Sequence, residues 1–169
     1  IKGTRLAHAT SNRGDCHRRA DTIASEILGI PAKTDPHETE GKADLVKAFQ
    51  DATAAWDSTG LCVFTSFAWT LADVAPQMDS ACEGGWTVEK LGEVGERIWN
   101  MERQFNLAAG FTGADDNLPP RILSEAAKTG PAKGMVNRLP EMLPEYYQVR
   151  GWDTAGVPTQ ETLSRLGIS

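Results

Sequence analysis

The residues best suited to chemistry lie in one short stretch, DSTGLC, at residues 57–62. Cys62 follows Gly60 at a junction between two helical patterns, where backbone N–H groups and a closely approaching glycine can face a ligand. This setting suits a metal-bound thiolate, but no second cysteine or histidine lies two to four residues away, as paired metal ligands usually do. The spacing alone therefore favours the other interpretation of Cys62, a small buried apolar side chain.

Asp57 precedes that cysteine by five residues and also has two interpretations. Its carboxylate could cap the turn through a local hydrogen bond to the backbone. Alternatively, a carboxylate held in a fixed position could accept hydrogen bonds from an amino-bearing heterocycle. The residues alone do not decide between a turn cap and a ligand contact.

A histidine that could exchange a proton near neutral pH lies in NRGDCHRR, at position 17. Taken by itself, His17 is more simply a structural or surface residue. The basic cluster Arg13, Arg18 and Arg19 around it is more simply a solvated face than a phosphate site. His8 and His37 belong to no motif, and the expected role of Cys82 is structural.

The composition is that of an ordinary globular protein and excludes several classes of function. The chain has 169 residues, of which 40% are hydrophobic and 24% charged, so we expect one folding unit with a packed core. The net charge of -6 argues against a nucleic-acid surface. Three cysteines, an odd number, argue against a disulfide framework and favour a reducing, cytoplasmic compartment. No apolar stretch is long enough to span a membrane.

Glycine and proline divide the chain into helical patterns, and no pair of alternating strand patterns flanks a hairpin turn. This predicts an all-α fold, an irregular multi-helix domain over residues 1–169. The predicted helices are 42–56, a second one from Cys62 through Met78, a long one that opens at the N-cap Thr87 and continues through Leu107, and shorter ones at 119–128, 141–149 and 159–166. Residues 29–41 and 110–118 are predicted to be loops.

Five tryptophans are expected to be core anchors rather than a binding surface. No nucleophile elbow, Walker phosphate loop or dinucleotide fingerprint occurs. The chain starts at Ile1 without a methionine, which fits a piece of a longer polypeptide. Composition and spacing thus predict a helical domain in which the 57–62 junction is the candidate ligand site. They do not identify a reaction.

Four stretches, taken together and in order, resemble the C-terminal region of tungsten-containing aldehyde:ferredoxin oxidoreductases. They are ATSNRGDCH (9–17), DSTGLCVF (57–64), WTVEKLGEVGERIWNMERQFNLAAGFTGADDNLPPRI (86–122) and MLPEYYQVRGWDTAGVPTQETLSRLGI (142–168). The resemblance implies a helical domain of an enzyme that holds tungsten (or molybdenum) between two pterin cofactors beside a 4Fe-4S cluster. It also implies oxidation of aldehydes to carboxylic acids, with ferredoxin as the electron acceptor.

The resemblance also implies roles for individual residues. The family motif of Asp, two variable residues, Gly, Leu and Cys or Asp matches residues 57–62. By that match, Asp57 and the Leu61 backbone beside Gly60 would bind one pterin, and Cys62 would be the fourth ligand of the cluster. His17 matches the family histidine near tungsten that is proposed to bind substrate or pass a proton.

The other three cluster ligands of the family lie in a cysteine group that is absent from these residues. The resemblance therefore predicts that the chain works only with upstream domains of the same polypeptide and is inactive alone, because a 4Fe-4S cluster is held by four ligands. The expected partners are those domains, ferredoxin and a small aldehyde, without nucleic acid or a membrane. A non-catalytic helical scaffold or interaction module derived from this family is the alternative.

Overall fold

The fold consists of helices and irregular connections, without a β-sheet, so the prediction of an all-α fold is confirmed. The computed structural model describes residues 1–169. None of its helices is both long enough and apolar enough to cross a membrane. The α-helices are α1 (Lys2–Ala9), α2 (Lys42–Ser58), α3 (Leu71–Ala81), α4 (Val88–Ala108), α5 (Pro120–Ser124), α6 (Leu139–Arg150) and α7 (Gln160–Arg165). Short 3-10 helices lie at His17–Arg19, Val63–Phe67 and Gly113–Asp115, and a π-helical turn lies at Ala24–Leu28.

The two longest helices, α2 and α4, pack against each other at the centre of the fold. They approach most tightly at Gly95, where an added Cβ would lie 1.9 Å from the backbone carbonyl oxygen of Asp51. Helices α1 and α6 also pack against α2, and this arrangement encloses the main core. Its largest fully buried apolar side chains are Leu6, Val46, Trp99, Met142 and Tyr146.

Replacing Gly95 by alanine is expected to lower the free energy of unfolding by about 3 kcal/mol, because the backbones of α2 and α4 must move apart. Gly92→Ala on the same helix is the matched control, since nothing lies within 4 Å of its added Cβ. That control should raise the free energy of unfolding by about 0.5–1 kcal/mol, the usual gain of alanine over glycine in a helix. Urea denaturation of both variants measures the difference, and equal effects would contradict the close crossing.

A buried carboxylate fixes the N-terminal part of the chain against α2. Glu26, which is fully buried, accepts hydrogen bonds from the N–H groups of Gly3 (2.9 Å) and Thr4 (3.1 Å) at the start of α1. It also accepts a hydrogen bond from the Thr22 hydroxyl (3.0 Å) and forms an ion pair with the buried Lys42 at the start of α2, at 3.0 Å. Buried charges persist only when they are paired in this way. The segment between α1 and the π-helical turn, which contains His17, is therefore held at both ends.

Most of the predicted helices are present in the structure. Their bounds differ from the prediction where a local turn or cap, rather than apolar spacing, determines where a helix begins or ends. The long helix begins after Thr87, whose hydroxyl accepts a hydrogen bond from the Lys90 N–H, as predicted. The predicted helix from Cys62 through Met78 was wrong: residues 63–67 form a 3-10 helix, and a capping box at Thr70 starts α3 separately. The helix predicted at 119–128 ends early, at Ser124, and α1 was not predicted.

The tryptophans only partly follow the prediction that all five anchor the core. Trp56, Trp99 and Trp152 are buried, and Trp86 is partly buried against a second, smaller core. Trp69 is 40% exposed, so the prediction was wrong for this residue. Its position next to a cleft, described below, accounts for the exposure.

Candidate functional site

The stretch 57–62 forms the turn between the end of α2 and the 3-10 helix at Val63–Phe67. Gly60 has a φ of +76°, a left-handed conformation that strongly favours glycine. The Leu61 N–H donates to the Thr59 hydroxyl at 3.3 Å, while the Leu61 carbonyl oxygen accepts no hydrogen bond from the protein. That carbonyl therefore remains available to a ligand.

The backbone at Cys62 is fixed while its thiol is free. The Cys62 carbonyl oxygen accepts hydrogen bonds from the Trp56 indole N–H (3.3 Å), the Thr65 hydroxyl (2.6 Å) and the Thr65 N–H (3.0 Å). The side chain itself is exposed and forms no disulfide. The interpretation of Cys62 as a buried apolar residue was therefore wrong. No group of three or more His, Cys, Asp or Glu side chains in the chain could hold a metal ion by itself.

The carboxylate of Asp57 belongs to an ion-pair network rather than to a turn cap, so the capping interpretation was wrong. The Arg19 guanidinium donates to Asp57 at 3.1 Å through Nη1 and to Glu102 on α4 at 2.5 Å through Nη2. The Arg19 side chain is only 7% exposed, and its guanidinium lies 5.5 Å from the centre of the Trp99 ring. The carboxylate of Asp57 remains 41% exposed, so it can still contact a ligand.

His17 begins the short 3-10 helix that also carries Arg19, and its ring is exposed without a hydrogen bond to the protein. The preceding residue, Cys16, is half-buried, and its sulfur accepts a hydrogen bond from Arg13 at 3.3 Å. Partial burial acts to raise the pKa of the Cys16 thiol. Hydrogen bonds from Arg13 and from backbone N–H groups outweigh burial, so the pKa lies below its ordinary value.

Buried polar atoms without a hydrogen-bond partner in the protein concentrate in the segment that contains His17. Such atoms are rare in folded proteins and usually indicate a water, an ion or another partner. Apart from Asn137, every residue with such an atom lies between positions 8 and 21: Ser11, Asn12, Arg19, Asp21 and His8, whose Nδ1 nevertheless lies 2.8 Å from the Asp15 carboxylate. This segment therefore has hydrogen-bonding capacity that the rest of the chain does not use.

A cleft of about 310 Å³ lies beside His17, and no residue of the 57–62 turn lines it. Its walls come from residues between His17 and Pro31, from α2 and from residues 63–71. Its lining is mostly apolar, and the Arg18 guanidinium lies 5.3 Å from the centre of the Phe64 ring.

The structure thus brings together the segments of all five predicted site residues. The pairing of Arg19 with Asp57, 38 positions apart, places the histidine segment beside the turn that contains Gly60, Leu61 and Cys62. Sequence reasoning missed Arg19 and Glu102, because the arginine belonged to an unremarkable basic cluster and the glutamate to the polar side of a helix. It also missed the cleft, whose walls come from distant parts of the chain.

Comparison with known proteins identifies the family that this chain matches. A family model described as "Aldehyde ferredoxin oxidoreductase, domains 2 & 3" matches residues 1–168. The chain is 46% identical over 170 residues to a tungsten-containing aldehyde ferredoxin oxidoreductase of Pyrococcus furiosus, and 44% identical over 170 residues to one of Thermococcus kodakarensis. Each match covers 99% of this chain and 28% of the relative. The chain therefore spans little more than a quarter of the length of these relatives.

Two further matches are more distant. A protein of Pyrococcus furiosus described as "Aliphatic sulfonate oxidoreductase, WOR-like subunit" is 36% identical over 86 residues, covering 46% of this chain and 14% of that protein. A solved structure described as the active site complex BamBC of benzoyl coenzyme A reductase, in complex with 1,5-dienoyl-CoA, superimposes with a TM-score of 0.64. It covers 85% of this chain and 21% of that chain at 24% identity, a likeness of fold alone.

Proposed function

The chain belongs to the aldehyde ferredoxin oxidoreductase family, and from this premise we propose that it is the C-terminal domain of a tungsten (or molybdenum) bis-pterin, iron-sulfur enzyme. The enzyme oxidises aldehydes to carboxylic acids and passes the electrons to ferredoxin. The observation that carries the proposal is the Arg19–Asp57 ion pair, which brings the His17 segment to the turn containing Cys62. The three free cysteines support a reducing, cytoplasmic location.

The residues present fit these cofactors. A pterin is rich in hydrogen-bonding groups and needs polar partners in its binding site. The Asp57 carboxylate and the free Leu61 carbonyl are acceptors for its amino and ring N–H groups. The exposed Cys62 thiol suits one ligand of a 4Fe-4S cluster. This chain offers a single thiol there, and we propose that upstream domains provide the other ligands.

Aldehyde oxidation consumes one water and yields a carboxylic acid, two protons and two electrons. When bound, the tungsten-pterin group supplies the two-electron oxidation, and the cluster supplies the path by which electrons leave one at a time to two ferredoxins. His17, exposed on the wall of the cleft, binds the carbonyl oxygen of the substrate or takes a proton released there. Asp57 would hold the pterin, and Cys62 would hold the cluster.

Metal analysis of the full-length protein, grown with tungstate, tests this proposal. Tungsten or molybdenum, together with four irons per chain and aldehyde-dependent reduction of ferredoxin, is the expected result. The 169-residue chain alone should carry neither metal nor cluster. A full-length protein without tungsten and molybdenum would refute the enzymatic proposal and favour the helical scaffold.

Replacing His17 by alanine in the full-length protein is expected to lower kcat roughly a hundredfold with tungsten and iron content retained, because a positioned acid–base group typically contributes this much. His37→Ala, in the polar loop before α2, is the control and should leave kcat unchanged. Steady-state rates measured across pH 5–9 check the role. A His17→Ala enzyme that keeps the wild-type rate and pH profile would contradict it.

A further inference from the structure

A buried tryptophan in the last turn of α2 contacts the backbone of the proposed cluster ligand. Trp56 is only 3% exposed, and its indole N–H donates to the Cys62 carbonyl oxygen at 3.3 Å. We propose that Trp56 is a positioning residue for the iron-sulfur cluster, because it fixes the Cys62 backbone and thereby the direction in which the thiol points. This inference rests on the proposed function and names a residue that supports the same site.

A separate apolar core holds the Trp56 ring in place. This smaller core joins α2, α3 and α4, and its buried members are Ala55, Trp56, Val74, Ala75 and Leu91. Leu61, the residue before Cys62, packs against the same core. Side chains in a packed interior have little freedom to move. Cys62 is therefore attached to the core at two points, through its neighbour Leu61 and through the Trp56 N–H.

The turn between Trp56 and Cys62 is closed by further hydrogen bonds. The Thr59 hydroxyl donates to the Trp56 carbonyl oxygen at 2.7 Å and accepts a hydrogen bond from the Leu61 N–H at 3.3 Å. Gly60, with its φ of +76°, reverses the chain and brings Cys62 back to an indole six positions earlier. Little freedom remains between the indole and the thiol, so loss of the indole N–H should change the position of the sulfur.

The Cys62 carbonyl oxygen has more hydrogen-bond donors than the following 3-10 helix requires. The Thr65 N–H, at 3.0 Å, makes the hydrogen bond that starts this helix. The Thr65 hydroxyl, at 2.6 Å, and the Trp56 indole are additional donors. Groups that orient a metal ligand in this way typically contribute ten- to a hundredfold to metal affinity. The exposed Cys62 thiol is therefore carried by backbone that is fixed from both sides.

Replacing Trp56 by phenylalanine in the full-length protein removes the indole N–H and keeps an aromatic ring in the smaller core. Release of cluster iron to a chelator should become about ten- to a hundredfold faster, and the g values of the reduced cluster in EPR should shift. Trp86→Phe is the matched control, since Trp86 packs against the same core but donates its indole N–H to the Glu83 carbonyl oxygen, at 3.2 Å. It should keep the wild-type release rate and g values.

A hydroxyl variant tests the same carbonyl oxygen without removing a buried ring. Thr65→Val should also accelerate iron release, and it decides the test if Trp56→Phe does not fold. Ser66→Ala loses a hydroxyl bond of the same kind, to the Val63 carbonyl oxygen at 2.6 Å, and should release iron at the wild-type rate.

The outcomes separate this inference from the proposed function. A wild-type release rate and EPR signal in folded Trp56→Phe, or the same acceleration in Trp56→Phe and Trp86→Phe, would overturn the positioning role. The proposed function would stand in both cases, because the wild type would still carry its cluster. A wild-type full-length protein without a cluster would overturn the proposed function and the positioning role together.

Discussion

Replacing Cys62 by alanine in the full-length protein is expected to abolish ferredoxin reduction and to remove most of the cluster iron. A 4Fe-4S cluster is held by four thiolate ligands, and alanine offers no atom that can replace one. The Cys62 thiol is exposed, so its removal costs little packing. The variant should therefore fold normally, and loss of iron would report on ligation rather than on unfolding.

The chain contains a matched control for this experiment. Cys82, at the end of α3, is also an exposed free cysteine, but it lies outside the turn that contains Asp57. Cys82→Ala should retain wild-type iron and activity. Iron per chain, visible absorption of the cluster and the rate of ferredoxin reduction distinguish the two variants. Equal iron content in Cys62→Ala and wild type would refute the assignment of Cys62 as a cluster ligand.

The sequence predicts the helices best where apolar spacing and end signals agree. The long helix α4 has a threonine N-cap and a continuous apolar stripe, and its bounds are predicted almost to the residue. The break at residues 68–70 was missed because apolar residues continue at helical spacing through it. There Thr70 and Asp73 form a capping box, which stabilises the start of a separate helix at Leu71. This local stabilisation outweighs the apolar spacing that would favour one continuous helix.

Local spacing, which predicts the helices, does not predict the candidate site. Spacing favoured a buried Cys62, whereas the hydrogen bonds of Trp56 and Thr65 to its carbonyl hold the residue with the thiol outward. The resemblance of DSTGLC to a family motif identified it as a ligand, and that assignment remains a prediction. Asp57 could not be assigned from neighbouring residues, because its partner Arg19 is 38 positions away. Contacts between distant segments determine this site, and they leave no periodic signal in one sequence.

Replacing Arg19 by leucine is expected to deplete the bound pterin and tungsten of the full-length protein. The substitution leaves Asp57 and Glu102 facing each other without the cation that now bridges them. Both carboxylates are more than one-third exposed, so solvent screening limits the loss of stability to about 1–3 kcal/mol. The larger effect is on the position of Asp57, because a ligand contact displaced by about 1 Å loses much of its strength.

Two further variants separate positioning of Asp57 from general stability. Arg19→Lys keeps the charge but lacks the planar fork that reaches two carboxylates, so it should restore only part of the pterin content. Arg165→Leu removes an exposed arginine paired with Glu96 and should leave pterin and tungsten unchanged. If Arg19 acts through Asp57, adding Arg19→Leu to Asp57→Asn should lower pterin content little further. Independent, additive losses would instead mean that Arg19 acts separately from Asp57.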